Sequence, residues 1–280
     1  MIGRWGSVDN LSELYLSNSS YTYALNNPTN AIDPNGGVVI FINGNHFGEG
    51  AIGYYSRYDY NSGNYNFYGS RDYWTNGKRN FDYEVMDQLN DHAKPIYRDG
   101  ALGGYFGLFS SSVGLGRYNA NNYNDRISAG FDQGISDAAA IVGNLEKNTQ
   151  GEIIESIKII THSMGGAYGK GYVNALKKYI STLPEKLQKQ IKISLIADFD
   201  PYQAGSLTAD PHIKTMQFIH KNAWNVIGLG GMANEEEKGN VEITQNSGTS
   251  TDHSIFTFFG DINSLEEGTY TWDGNQWVKK

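Results

Sequence analysis

The stretch from Glu152 to Gly166 constrains this chain more than any other. It runs Ile153-Ile154, then Ile157-Lys158-Ile159-Ile160, then Thr161-His162-Ser163-Met164-Gly165-Gly166. β-Branched residues dominate its first part, as in a strand buried on both faces. A helical period follows at once, with Tyr168, Tyr172, Ala175, Leu176 and Tyr179 on one face and Lys170, Asn174, Lys177 and Lys178 on the other. A strand that turns directly into a helix leaves the serine at the bend. Its Oγ then stands above the sheet edge, and the next backbone N–H groups point at any negative charge that develops there. Ser163 is therefore the candidate nucleophile and the Met164 N–H a candidate oxyanion donor. Gly165, Gly166, Gly169 and Gly171 crowd the start of the helix. Each costs up to about 1 kcal/mol relative to alanine, so a close approach of this helix to the sheet is expected.

Other segments predict what surrounds that strand. Gly37 to Asn43 is a continuous apolar run, as expected of a buried parallel strand. Phe81, Val85, Met86 and Leu89 recur at helical spacing after Asn80, a candidate N-cap, and a short strand is expected at Lys94 to Tyr97. Phe131, Ile135, Ala138, Val142 and Leu145 mark the apolar face of a helix from about 122 to 145. Strands follow at Ile191 to Ala197, Thr215 to His220 and Val241 to Gln245, and a hairpin turns around Asp273-Gly274. Glu235-Glu236-Glu237 reads as a solvated acidic loop. Alternating strands and helices predict an α/β protein, a mostly parallel sheet flanked by helices. Residues 47–80, rich in Tyr, Asn and Gly, form a long insertion read as a lid or substrate platform.

A serine hydroxyl needs a base within hydrogen-bond reach, and the base needs an orienting acid. Of the six histidines, His253 has the late position, after the polar loop from Asn246 to Asp252. His162 adjoins the serine and turns away from it in such a bend, and His220 reads as structural. The acid is Asp198 or Asp200, both at the end of the strand that starts near Ile191, with Asp200 ranked first. Ligands of open α/β sheets bind at the carboxyl ends of strands, so the loop after the first strand faces the same region and the backbone N–H of Asn45 is a candidate second oxyanion donor.

Together these residues resemble an α/β-hydrolase of the lipase type. Such enzymes carry x-His-Ser-x-Gly-Gly at the bend and order their triad Ser, Asp/Glu, His. Thr161 departs from that pattern, standing where its first glycine is usual. The resemblance implies a serine ester hydrolase, lipase- or phospholipase-like, without metal or organic cofactor. Its substrate would be a lipid or another acyl ester, with transient contact at a membrane surface; a carbohydrate ester, a peptide or a thioester, or a non-catalytic binding role, are the alternatives. A second resemblance covers residues 1–36. Gly3-Arg4-Trp5, Ser20-Tyr21-Thr22-Tyr23, Asn26-Asn27-Pro28 and Asp33-Pro34-Asn35-Gly36 resemble the end of the core domain associated with RHS (YD) repeats in bacterial polymorphic toxins. Asn10 and Ser20 stand where that family usually has proline, and Gly37 where it has leucine. The resemblance implies that residues 37–280 are the effector domain, delivered from the cell within a larger RHS protein or secretion system, with an immunity protein as partner.

Composition narrows the classes further. A net charge of -8 disfavours nucleic acid as a partner. The chain has no cysteine, so no disulfide framework is expected. No apolar run reaches transmembrane length and no signal-peptide core precedes residue 37, so a soluble domain is expected.

Overall fold

The computed structural model describes residues 38–44, 58–59, 64–65, 71–75, 79–100, 123–220, 235–246 and 253–280. Residues 1–36, Asn45, most of the 47–80 insertion and the loop 247–252 lie outside that set. Six strands form one sheet: β1 (Val38–Asn43), β4 (Ile96–Asp99), β5 (Ser156–His162), β6 (Lys192–Phe199), β7 (Thr215–His220) and β8 (Val241–Asn246). All pairs are parallel, in the order β4-β1-β5-β6-β7-β8. Two antiparallel ribbons stand apart, β2 (Tyr58–Asp59) with β3 (Asn64–Tyr65) and β9 (Tyr270–Trp272) with β10 (Trp277–Lys279). The helices are α1 (Phe81–Gln88), α2 (Tyr123–Asn144), α3 (Gly165–Ser181) and the short α4 (Glu185–Gln188).

The α/β class expected from the alternation of elements is what the chain forms. Strands β1, β5 and β7 are buried along their whole length, which accounts for the unbroken apolar run of β1 and the mostly apolar β5 and β7, where Lys158 and Gln217 are buried polar exceptions. Side chains alternate between two cores. Val38, Ile40, Ile42, Ile157, Ile159 and Ile196 face α2 and α3. Val39, Phe41, Ile160, Leu195, Ala197, Phe199 and Phe218 face α1 and the C-terminal turns at Ile255–Phe258 and Ile262–Ser264. Each large side chain buried this way contributes about 1.5–3 kcal/mol. The chain moves from β1 outward to β4, then back across to β5 on the other flank. Sheets of this kind bind ligands at such a reversal, which here falls at the carboxyl ends of β1 and β5. Among the described residues, no helix is long and apolar enough to cross a membrane.

Four local expectations change. On α2 the buried stripe is Arg126, Gly130, Gly134, Ala138, Ile141 and Val142, whereas Ile135 is 42% exposed and Phe131 only half-buried. The reason is backbone contact with α3: a Cβ on Gly130 would lie 2.0 Å from the Tyr168 carbonyl oxygen, and one on Gly171 1.8 Å from that of Ile127. Of the α3 glycines, Gly165 and Gly169 approach the sheet as expected, but Gly171 meets α2 and Gly166 meets Pro201. Lys170, assigned to the solvent face, is buried and ion-paired with Asp198 at 2.8 Å and Glu237 at 2.6 Å. Glu237 is therefore no part of a solvated loop. Asn80 does start α1, but its side chain makes no cap bond and instead accepts from the Arg71 guanidinium at 3.2 Å.

Candidate active site

Ser163 follows β5 with φ 56, left-handed backbone for a residue with a Cβ. That conformation costs about 1–2 kcal/mol and is held by three backbone bonds. The Ser163 N–H donates to Phe199 O at 3.0 Å, while Ser163 O accepts from Tyr202 N–H at 2.9 Å and Gly166 N–H at 3.2 Å. The bend is thus tied to the end of β6 on one side and to the first turn of α3 on the other. Gly44, just past β1, leaves room for it: a Cβ there would come within 2.4 Å of Ser163 Cβ and 3.0 Å of its Oγ. Thr161 is accommodated by a glycine elsewhere. A Cβ on Gly169 would lie 2.9 Å from Thr161 Cγ2, so the missing side chain that such bends need is on the helix instead of the strand. Met164 opens α3 and packs on Tyr202.

Asp200 is fully buried past the end of β6, with φ 40. Its Oδ2 lies 2.7 Å from His220 Nδ1 and 3.3 Å from His253 Nδ1, and its Oδ1 accepts the His220 backbone N–H at 3.2 Å. Burial pushes the Asp200 carboxyl up, but the bonds from His220 and His253 outweigh it and hold the group below its usual value. An ionised carboxylate only accepts, so both facing Nδ1 atoms carry hydrogen. In neutral His253 the lone pair is then on Nε2. That atom is buried, and among the described residues it has no hydrogen-bond partner, Ser163 Oγ included. Such bonds are often long without substrate and close only in the complex. The His253 backbone leads into the turn Ile255–Phe258, whose Ile255 and Phe258 are anchored in the core.

Asp198 sits elsewhere. It accepts from the Thr161 hydroxyl and from Lys170 Nζ, beneath α3, and neither of its bonds involves a histidine. The carboxylate brought to His253 is Asp200. His162 packs against His253, with ring centroids 4.9 Å apart and the rings tilted by 30°. Its Nδ1 is bonded to the Tyr73 hydroxyl. Burial, then the neighbouring His253, drives the His162 pKa well below its ordinary value, so the ring is neutral near pH 7.

The structure thus brings Ser163, Met164, Asp200 and His253 to one end of the sheet and leaves Asp198 outside; Asn45 lies outside the described residues. Sequence reasoning missed His220 as second partner of Asp200, although both follow adjacent strand ends. It also missed Tyr73, which lies in the insertion and carried no periodic signal. Among the described residues no group of three or more acidic or histidine side chains is placed to hold a metal ion. The sequence matches no protein-family model, and no curated protein matches it.

Proposed function

We propose that this protein is a serine ester hydrolase of the α/β-hydrolase type, lipase-like, with Ser163, His253 and Asp200 as its triad. The observation that carries the reading is the chain of roles at one sheet edge: a buried carboxylate on His253 Nδ1, an unpartnered Nε2, and a serine held in left-handed backbone at a strand-to-helix bend. Ser163 Oγ attacks an acyl carbonyl while His253 Nε2 takes its proton. The imidazolium is stabilised by Asp200 and then returns the proton to the leaving alcohol. Water, deprotonated by the same nitrogen, attacks the acyl-enzyme and restores Ser163. The Met164 N–H, at the start of the 17-residue helix α3, and a donor after β1 carry the oxyanion. Asn45 is the residue proposed for that second donor, and one such donor is worth about 10²–10³ in rate. The resemblance of residues 1–36 extends the reading to a bacterial toxin effector with its own immunity protein. Fluorophosphonate labelling tests the core of it. Wild type is expected to label and Ser163→Ala not; absence of labelling in a folded wild type removes the proposal.

A further inference from the structure

The stripe of α2 that packs on α3 begins with an arginine. The helices run parallel, since Gly130 lies against Tyr168 and Gly134 against Tyr172 and Ala175. One turn earlier the same stripe carries Arg126, and its contacts reach the bend. The Arg126 guanidinium lies over the Tyr202 ring, 5.4 Å from its centroid. Tyr202 packs on Met164, and its backbone N–H donates to Ser163 O at 2.9 Å.

Arg126 is 1% exposed. One amino group donates to Gln203 Oε1, but its Nε is buried without a partner, and so is the Tyr202 hydroxyl. Among the described residues no carboxylate lies within ion-pair distance of Arg126. Lys158 and Lys170, comparably buried, each hold two. The acids that Arg126 and Tyr202 feel at longer range are Asp125, its neighbour on α2, and Glu235, which accepts the Gly205 N–H at 3.0 Å. Burial lowers the Arg126 pKa only to about 10, so the group is a cation at neutral pH. A desolvated guanidinium with open donors and no counter-ion is costly to a fold unless an anion from outside completes it. Its planar fork suits the paired oxygens of a phosphate.

We propose that Arg126 and the Tyr202 hydroxyl form a phosphate-recognition subsite beside Ser163, and that the substrate is an acyl ester carrying a phosphate group. The Gln203 bond orients the guanidinium, and Gln203 is itself held at φ 62. The substrate assignment rests on the hydrolase reading; the binding of phosphate does not.

Two arms on the full chain test this. In the first, hydrolysis of dibutyryl-glycerophosphate is compared with that of neutral tributyrin. Arg126→Met is expected to lower the ratio of their kcat/KM values by about 30-fold or more, as for truncation of a buried charged hydrogen bond. In the second, inorganic phosphate is expected to raise the Tm of the Ser163→Ala protein and to lose that effect when Arg126→Met is added. Tyr202→Phe, which removes only the hydroxyl, is expected to reduce both responses more weakly, and it serves as the test if Arg126→Met does not fold. An unchanged ratio in a folded variant, or a phosphate response that is absent or equal in all proteins, overturns the subsite. Phosphate binding that depends on Arg126 in a wild type without esterase activity would instead remove the hydrolase reading and leave the subsite standing.

Discussion

Asp198 and Asp200 are two residues apart, both fully buried, and only one faces a histidine. Replacing each by asparagine keeps the volume and removes the charge, and the structure assigns the two changes opposite consequences. In the proposed mechanism, Asp200→Asn deprives the imidazolium formed on His253 of its counter-charge, and one amide hydrogen-bond donor now faces an N–H. The comparable change in a serine-protease triad costs about 10⁴ in kcat. Because Asp200 already shares its Oδ2 with His220 and the His253 contact is the longer, at 3.3 Å, we expect a loss of about 10³–10⁴, or roughly 4–5 kcal/mol of barrier. In Asp198→Asn the site keeps its groups, but Lys170 loses a partner at 2.8 Å.

Removing one member of a buried ion pair costs about 3–5 kcal/mol. Glu237 remains 2.6 Å from Lys170 and can ionise in compensation, which puts the expected loss near the lower bound, about 3 kcal/mol. At about 2–4 °C per kcal/mol for a chain of this size, Tm is expected to fall by about 6–12 °C while turnover stays within about tenfold. Initial rates on a soluble p-nitrophenyl ester and thermal melts by circular dichroism, both at pH 7, measure the two effects. The reverse pattern, with activity lost in Asp198→Asn and kept in Asp200→Asn, would refute the assignment of roles.

Gly44→Ala forces a Cβ to within 2.4 Å of Ser163 Cβ, so we expect at least a 10²-fold loss of turnover, the order of a displaced catalytic group, with the fold retained; wild-type kinetics would show that β1 and the bend are not in contact. Glu237 is a buried carboxyl raised to about 8, by burial first and against the pull of Lys170. It holds its proton in the fold above the pH at which the unfolded chain releases it, so stability falls as pH rises from about 4.5 to 8. Glu237→Gln should flatten that slope and exceed wild type at pH 8 by on the order of 3 kcal/mol, read from urea midpoints; a loss of stability equal at pH 5 and pH 8 counts against a protonated Glu237. Tyr73→Phe strips His162 Nδ1 of its partner, with an expected cost of about 1–3 kcal/mol; an unchanged Tm would mean the hydroxyl does not hold that ring.

The sheet was legible because strands buried on both faces are rich in β-branched and aromatic residues: β1 is an unbroken apolar run, and β5, β6 and β7 carry shorter apolar stretches broken by single polar residues such as Lys158, Ser194 and Gln217. The serine at the bend was legible for the same reason, since the run stops where the helical period starts. Packing through absent side chains was not. Gly130 and Gly134 give no hydrophobic signal, so the sequence pattern put Phe131 and Ile135 on the inner face of α2, where the close approach of α3 leaves no room for them. Buried charge was equally hidden. Lys170 and Glu237 each look like surface residues until the partners of both are known, and those partners come from β6, α3 and the segment before β8.

The choice between the two aspartates shows where strand periodicity stops being a guide. Residues two apart on a strand point to the same face, and by that rule Asp198 and Asp200 should share an environment. Asp198 obeys it, pointing with Thr161 toward α3 and Lys170. Asp200 does not, because it lies one residue past β6 with φ 40. That single left-handed residue breaks the alternation and swings the carboxylate toward the ends of β7 and the His253 turn. Asp is among the few side chains that enter this conformation at modest cost, and Pro201 follows it. A residue type suited to a left-handed bend was thus visible at Asp200, but the bend itself depends on the bond from its N–H to Phe218 O at 2.8 Å, a contact between strands that only the folded sheet supplies. Ser163 reaches the same conformation by the same means, through its N–H on Phe199 O. The proposed nucleophile and its carboxylate are therefore each placed by a backbone bond to the next strand in the sheet, and the geometry of the candidate site is set by the register of β5, β6 and β7.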